Sequence, residues 1–109
     1  FWYDSFSINV ITDINEELTN LPKEFSLGQN YPNPFNPSTK IKYSIPNRTQ
    51  VTLKVFDVLG SEIITLVNKE QTAGYYAIEF DASNLTSGIY FYRVQAGQFV
   101  ETKKMILLR

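Results

Sequence analysis

The sequence predicts an all-β chain, an antiparallel sandwich of about seven short strands carrying an N-terminal strand and linker extension. Three observations point there. From residue 25 onward apolar side chains recur at period two, as in Ile41, Tyr43 and Ile45 or Val51, Leu53 and Val55, and no stretch sustains helical spacing. Glycine, proline, asparagine and aspartate cluster between those runs at near-regular intervals, which is turn punctuation. The 109 residues are 43% hydrophobic and 15% aromatic, a composition for a packed domain rather than a disordered one. At this length one domain is expected, burying roughly 60 to 70% of the surface its unfolded chain exposes.

Residues 1–11 read FWYDSFSINVI. Trp2, Phe6, Ile8 and Val10 fall on one face of a strand, with Asp4 the exception, and Ser5, Ser7 and Asn9 on the other. Left unpaired, such a strand is an aggregation hazard. Residues 12–24 turn polar and acidic, with Asp13, Glu16, Glu17 and Glu24 and the punctuation of Pro22, as a linker does. Residues 1–24 are therefore expected to be an N-terminal strand and acidic linker, either the end of a preceding domain or a donated strand. Residues 25–109 are expected to be the sandwich itself.

The stretch 27–46, LGQNYPNPFNPSTKIKYSIP, organises the rest. Pro32, Pro34 and Pro37 each fix their own φ and remove a donor, and they bias Tyr31, Asn33 and Asn36 away from helical geometry. The result is a stiff loop in which asparagines bond nearby backbone and Tyr31 and Phe35 are available as anchors. It leads into a half-buried strand over 39–45, closed by Pro46. A short strand over 25–27 precedes the loop. Beyond it, a turn at 47–50 leads to a strand at 51–56, and a turn near Gly60 leads to one at 62–67. A polar loop over 68–74 precedes a strand at 75–80. A second loop over 81–88 carries Leu85, the one apolar residue there able to plug an end of the sandwich. Strands at 88–95 and 98–108, joined by a tight Ala96-Gly97 turn, close an antiparallel immunoglobulin-like β-sandwich. With no cysteine, packing alone must hold its sheets together.

Composition excludes several functions. Ten basic against eleven acidic residues give a net charge of −1, no excess for neutralising nucleic-acid phosphates. The lack of histidine rules out a Ser-His-Asp triad and the commonest zinc ligand. No apolar run reaches the roughly 18 residues of a transmembrane segment. The chain opens at Phe1 rather than methionine, as expected of a processed product or a fragment. Asp57 and Asp81 both adjoin turns, where aspartates serve far more often as backbone caps than as paired acid–base carboxylates. Asp81 and Asn84 match no calcium-loop spacing. Tyr75, Tyr90, Phe91 and Tyr92 crowd two strands, and alternate members filling the core is favoured over a sugar platform. Asn47-Arg48-Thr49 and Asn84-Leu85-Thr86 fit the N-glycosylation pattern, which arises often by chance. The reading is of a non-enzymatic chain that needs no cofactor or metal.

The last strand, Glu101 to Arg109, reads ETKKMILLR. On chemistry alone it is an ordinary strand whose lysines shield an edge. Set beside the rest of the chain it is part of an ordered series: Asn30-Tyr31-Pro32-Asn33-Pro34-Phe35-Asn36-Pro37, then Val55-Phe56-Asp57 with Gly60, then Gly74. Leu85 follows, with Gly88-Ile89-Tyr90-Phe91-Tyr92, and then Thr102-Lys103-Lys104-Met105. This series resembles the C-terminal sorting domain of proteins exported by the bacterial type IX secretion system, over roughly residues 25–109. That family has an immunoglobulin-like fold related to those of flagellar hook-capping proteins.

The resemblance implies a label without catalytic activity that directs a periplasmic cargo through an outer-membrane secretion translocon to the cell surface. It implies removal by a sortase-like peptidase in many members, with attachment of the cargo to lipopolysaccharide. The implied recognition residues are 30–37, Gly88, Tyr90, Thr102, Lys103, Lys104 and Met105. The alternative is an extracellular structural subunit, a homopolymer in which Trp2, Phe6, Ile8 and Val10 of one copy fill a groove of the next.

Overall fold

The computed structural model describes residues 21–109, so the expected donor strand and its Trp2, Phe6, Ile8 and Val10 lie outside the described residues. The described residues hold seven strands and no helix. These are β1 (Ser26–Leu27), β2 (Ser38–Ile45), β3 (Thr49–Phe56), β4 (Glu62–Gln71), β5 (Gly74–Asp81), β6 (Gly88–Ala96) and β7 (Phe99–Leu107). They form a three-stranded sheet, β1-β2-β5, and a four-stranded sheet, β4-β3-β6-β7, with every strand pairing antiparallel. The immunoglobulin-like sandwich is thus the fold, with β4 beside β3.

Period two explains why the two sheets stick. Ile41, Tyr43 and Ile45 of β2 face Val51, Leu53 and Val55 of β3 and Tyr90, Tyr92 and Val94 of β6 in one buried cluster. The alternate residues Lys40, Lys42, Arg93 and Gln95 point to water. Ion pairs add little, since Arg48–Glu70 and Lys54–Glu62 are both exposed. One polar crosstie joins the sheets inside the core, where the Tyr43 hydroxyl donates to Gln71 Oε1 at 2.5 Å. Every buried side-chain nitrogen and oxygen among the described residues has a partner.

Two expected boundaries move. Residues 68–71, expected in a polar loop, continue β4 and pair with residues 49–52 of β3. The turn expected at 47–50 is accordingly shorter, with Thr49 and Gln50 already in β3. The cause is the unequal width of the sheets. Strand β4 is an edge strand that overhangs the three-stranded layer, so only Val67 and Gln71 of its ten residues are buried. A strand that is wet on both faces loses its hydrophobic alternation. Register shifts between Leu53 and Lys54 and between Val55 and Phe56 bend this pair further.

The two long connections are pinned from the core. Tyr90 opens β6 and its hydroxyl donates back to the Thr86 carbonyl at 2.7 Å. This is the tyrosine corner of immunoglobulin-like domains. Leu85 packs against the core beside it, as expected of a plug. At the β6–β7 turn Gly97 adopts φ 61°, a left-handed conformation that glycine reaches without a Cβ penalty.

Candidate recognition surface

The proline loop is built from its ends inward. At its entry Gly28 N–H donates to the Lys42 carbonyl at 2.8 Å, and Tyr31 and Lys40 exchange backbone bonds at 3.0 and 2.9 Å. Between them the chain bulges over the core, and Tyr92 reaches up from β6 to hold it. The Tyr92 hydroxyl accepts the Asn30 N–H at 2.8 Å and donates to the Gly28 carbonyl at 2.7 Å. Burial pushes this phenol up to about 12, only partly offset by the Asn30 bond, with the Glu101 carboxylate adding to the rise.

Asn30 is itself buried and braces the first proline, donating from Nδ2 to the Pro32 carbonyl at 3.2 Å and to Thr39 Oγ1 at 3.0 Å. Thr39 completes the triangle by donating to the same Pro32 carbonyl at 2.8 Å. The peptide bonds preceding Pro32, Pro34 and Pro37 are all cis.

The second half of the loop lies against the last strand. Gln29 Nε2 donates to the Lys104 carbonyl at 2.8 Å, and Asn33 Oδ1 accepts the Ile106 N–H at 3.0 Å. Phe35 N–H donates to the Ile106 carbonyl at 2.9 Å, and Leu108 N–H donates to the Phe35 carbonyl at 3.0 Å. Phe35 and Leu107 thus form a parallel bridge, and the Phe35 ring drops into the core beside Phe80 at a centroid distance of 6.2 Å. The loop exits through the Pro37 carbonyl, which accepts from Ala82 N–H at 2.9 Å.

The residues singled out from sequence now divide. Asn30, Phe35, Tyr90 and Met105 are buried and hold the domain together from within. Of the two aromatics expected to anchor the loop, Phe35 does so, whereas Tyr31 is 81% exposed and lies at the surface. Pro32, Asn33, Pro34 and Asn36 are exposed with it, and Pro37 is half-buried. On β7, Thr102 and Lys104 are exposed, while Lys103 is half-buried and pairs with Glu101 at 3.2 Å. Gly88 is half-buried opposite Leu107. The loop and β7 are therefore brought together, and Gly88 and Tyr90 lie beside β7 on β6, opposite Leu107 and Met105.

The remaining candidates are local. Asp57 Oδ1 accepts the Leu59 and Ser61 N–H groups, each at 2.9 Å. Asp81 Oδ1 accepts the Ser83 N–H at 2.9 Å and the Ser83 hydroxyl, which holds its carboxyl below the usual range. Both aspartates are turn caps. Tyr90 and Tyr92 fill the core, Phe91 is half-buried, and Tyr75 is exposed, so they form no common platform.

Three participants carry no local sequence signal. Gln29 and Thr39 bond to backbone or side chains that only the fold brings near. Arg109 is the third. From its Nη1 it donates to the carbonyls of Leu85 at 2.8 Å, of Ala82 at 3.3 Å and of Ser83, while its N–H donates to Ser87 Oγ at 2.9 Å. The terminal residue thus clamps the connection between β5 and β6.

The described residues thus form an antiparallel immunoglobulin-like sandwich whose proline-rich entry loop is laced to its last strand. The sequence model of the secretion system C-terminal sorting domain family matches residues 29–108. The chain belongs to that family, the type IX sorting domain, and its destination is the cell surface or the extracellular space. No curated protein matches the chain.

Proposed function

We propose that the export machinery reads one composite surface of this sorting domain, made by the exposed part of the proline loop and the middle of β7. The readable groups are Tyr31, Pro32, Asn33, Pro34 and Asn36 on the loop, with Thr102, Lys103 and Lys104 on the strand. The observation that supports the reading is the lacing of Gln29, Asn33 and Phe35 to β7, which sets two distant sequence signals side by side. Prolines and aromatic rings present surface that loses little conformational entropy on binding, and lysines add charge for selecting a partner. Such a site acts by shape and charge, with no bond broken.

The test is secretion of a reporter fused ahead of the full chain in a host carrying the type IX machinery. Joint replacement of Lys103 and Lys104 by alanine should reduce export while leaving the thermal midpoint unchanged. Undiminished export of a folded double variant would remove the strand from the recognition surface.

A further inference from the structure

Strand β7 is the edge of the four-stranded sheet, with β6 on one side. The tight turn at Gly97 makes Ala96 and Phe99 the closing pair of the β6–β7 hairpin. Antiparallel pairing alternates, so Phe99, Glu101, Lys103, Met105 and Leu107 aim their backbone groups at β6. Val100, Thr102, Lys104, Ile106 and Leu108 aim theirs away. The loop contacts obey that parity, since they engage the Lys104 carbonyl, both groups of Ile106 and the Leu108 N–H.

The cap then stops. The N–H and C=O of Val100 and Thr102, together with the N–H of Lys104, meet no hydrogen-bond partner among the described residues. This open run contains no proline, and its register with β6 is unbroken. Val100, 54% exposed, Thr102 and Lys104 share its outer face. Among the described residues, half of one edge is sealed by the loop and the adjoining half is uncovered.

We propose that this open run, Val100 to Lys104, receives an extended acidic segment of a partner protein as an added strand, with a carboxylate opposite Lys104. The inference deepens the sorting reading and rests on it, because the segment belongs to the machinery that reads the domain. Added strands take affinity from main-chain bonds and selectivity from alternate side chains, and both are on offer here. Charge chooses the occupant. Each copy of the run carries Lys103 and Lys104 against one Glu101, so a second copy brings a surplus of like charge, whereas an acidic strand neutralises it.

Outward parity supplies the test. Thr102→Pro deletes one outward N–H and leaves every rung to β6 in place, as proline permits on an edge. Thr102→Val keeps that N–H and loses only the hydroxyl. In the reporter fusion of the full chain, Thr102→Pro should cut export about tenfold or more, and Thr102→Val, which removes a readable hydroxyl but no main-chain donor, should cut it by no more than about threefold. The thermal midpoint of the proline variant should stay within about 4 °C of the parent. Should Thr102→Pro fail to fold, Val100→Pro repeats the test at the neighbouring outward position. Normal export of a folded proline variant, with export lost on replacing Lys103 and Lys104, would overturn strand addition and leave the composite surface standing. Normal export of both would overturn both. A dimer of the parent that Thr102→Pro abolishes would assign the edge to a second copy and overturn the acidic partner.

Discussion

Asn33 and Ile106 lie 73 residues apart, and the side-chain oxygen of the first accepts the backbone N–H of the second at 3.0 Å. An asparagine of the entry loop thereby occupies a rung that another strand would otherwise take. The contact is exposed, so water can replace it. Asn33→Ala should therefore lower the unfolding free energy by only about 0.5–1 kcal/mol, and Asn33→Asp, which keeps the acceptor, by less. Urea denaturation of the three proteins checks the order.

Phe35 carries far more. Its ring is 2% exposed, and its removal leaves a void beside Phe80. Phe35→Ala should cost about 3–5 kcal/mol, against a negligible change for Tyr31→Ala, whose ring lies in water. A loss below about 1 kcal/mol for Phe35→Ala would mean that the loop is not anchored through this side chain.

Tyr92 is both beam and titrating group. Tyr92→Phe strips the partner from the buried Asn30 N–H and should cost about 1–3 kcal/mol. In the folded chain the phenol is raised to about 12 from an ordinary value of about 10. A raised folded value means that the proton is held more tightly in the native state. The linked stability is thus complete below about pH 10 and is lost as pH climbs toward about 12. Tyr43, also raised by burial, loses stability in the same direction. The parent should therefore weaken more steeply than Tyr92→Phe across this window, as denaturation at successive alkaline pH values would show.

Arg109 holds three carbonyls of the β5–β6 connection from an exposed position. Arg109→Ala should cost about 1 kcal/mol, with faster amide exchange around Leu85 and none around Val51. Unchanged exchange at Leu85 would show that the clamp contributes nothing in solution.

Much of this architecture is legible from the chain alone, because β2, β3 and β6 bury one face each and announce it by alternation. Where that link breaks, so does the reading. Residues 68–71 look like loop because Asn68, Lys69 and Glu70 are wet on an overhanging edge, and their partners on β3 decide the matter. The proline loop is recognisable from composition, yet nothing local distinguishes Phe35 from Tyr31. Both are aromatics among prolines, and only the arrival of β7 and Phe80 selects which one is buried. Gln29, Thr39 and Arg109 bond largely to backbone groups that the fold alone brings near. A residue-type pattern cannot encode such partners.

The parallel bridge between Phe35 and Leu107 has a temporal meaning. A chain cut short before its final strand still possesses the prolines but has nothing to lay them on. The bonds between loop and strand form only when β7 has folded into its sheet. These contacts join segments more than seventy residues apart, so this part of the surface reports that the sandwich as a whole has closed.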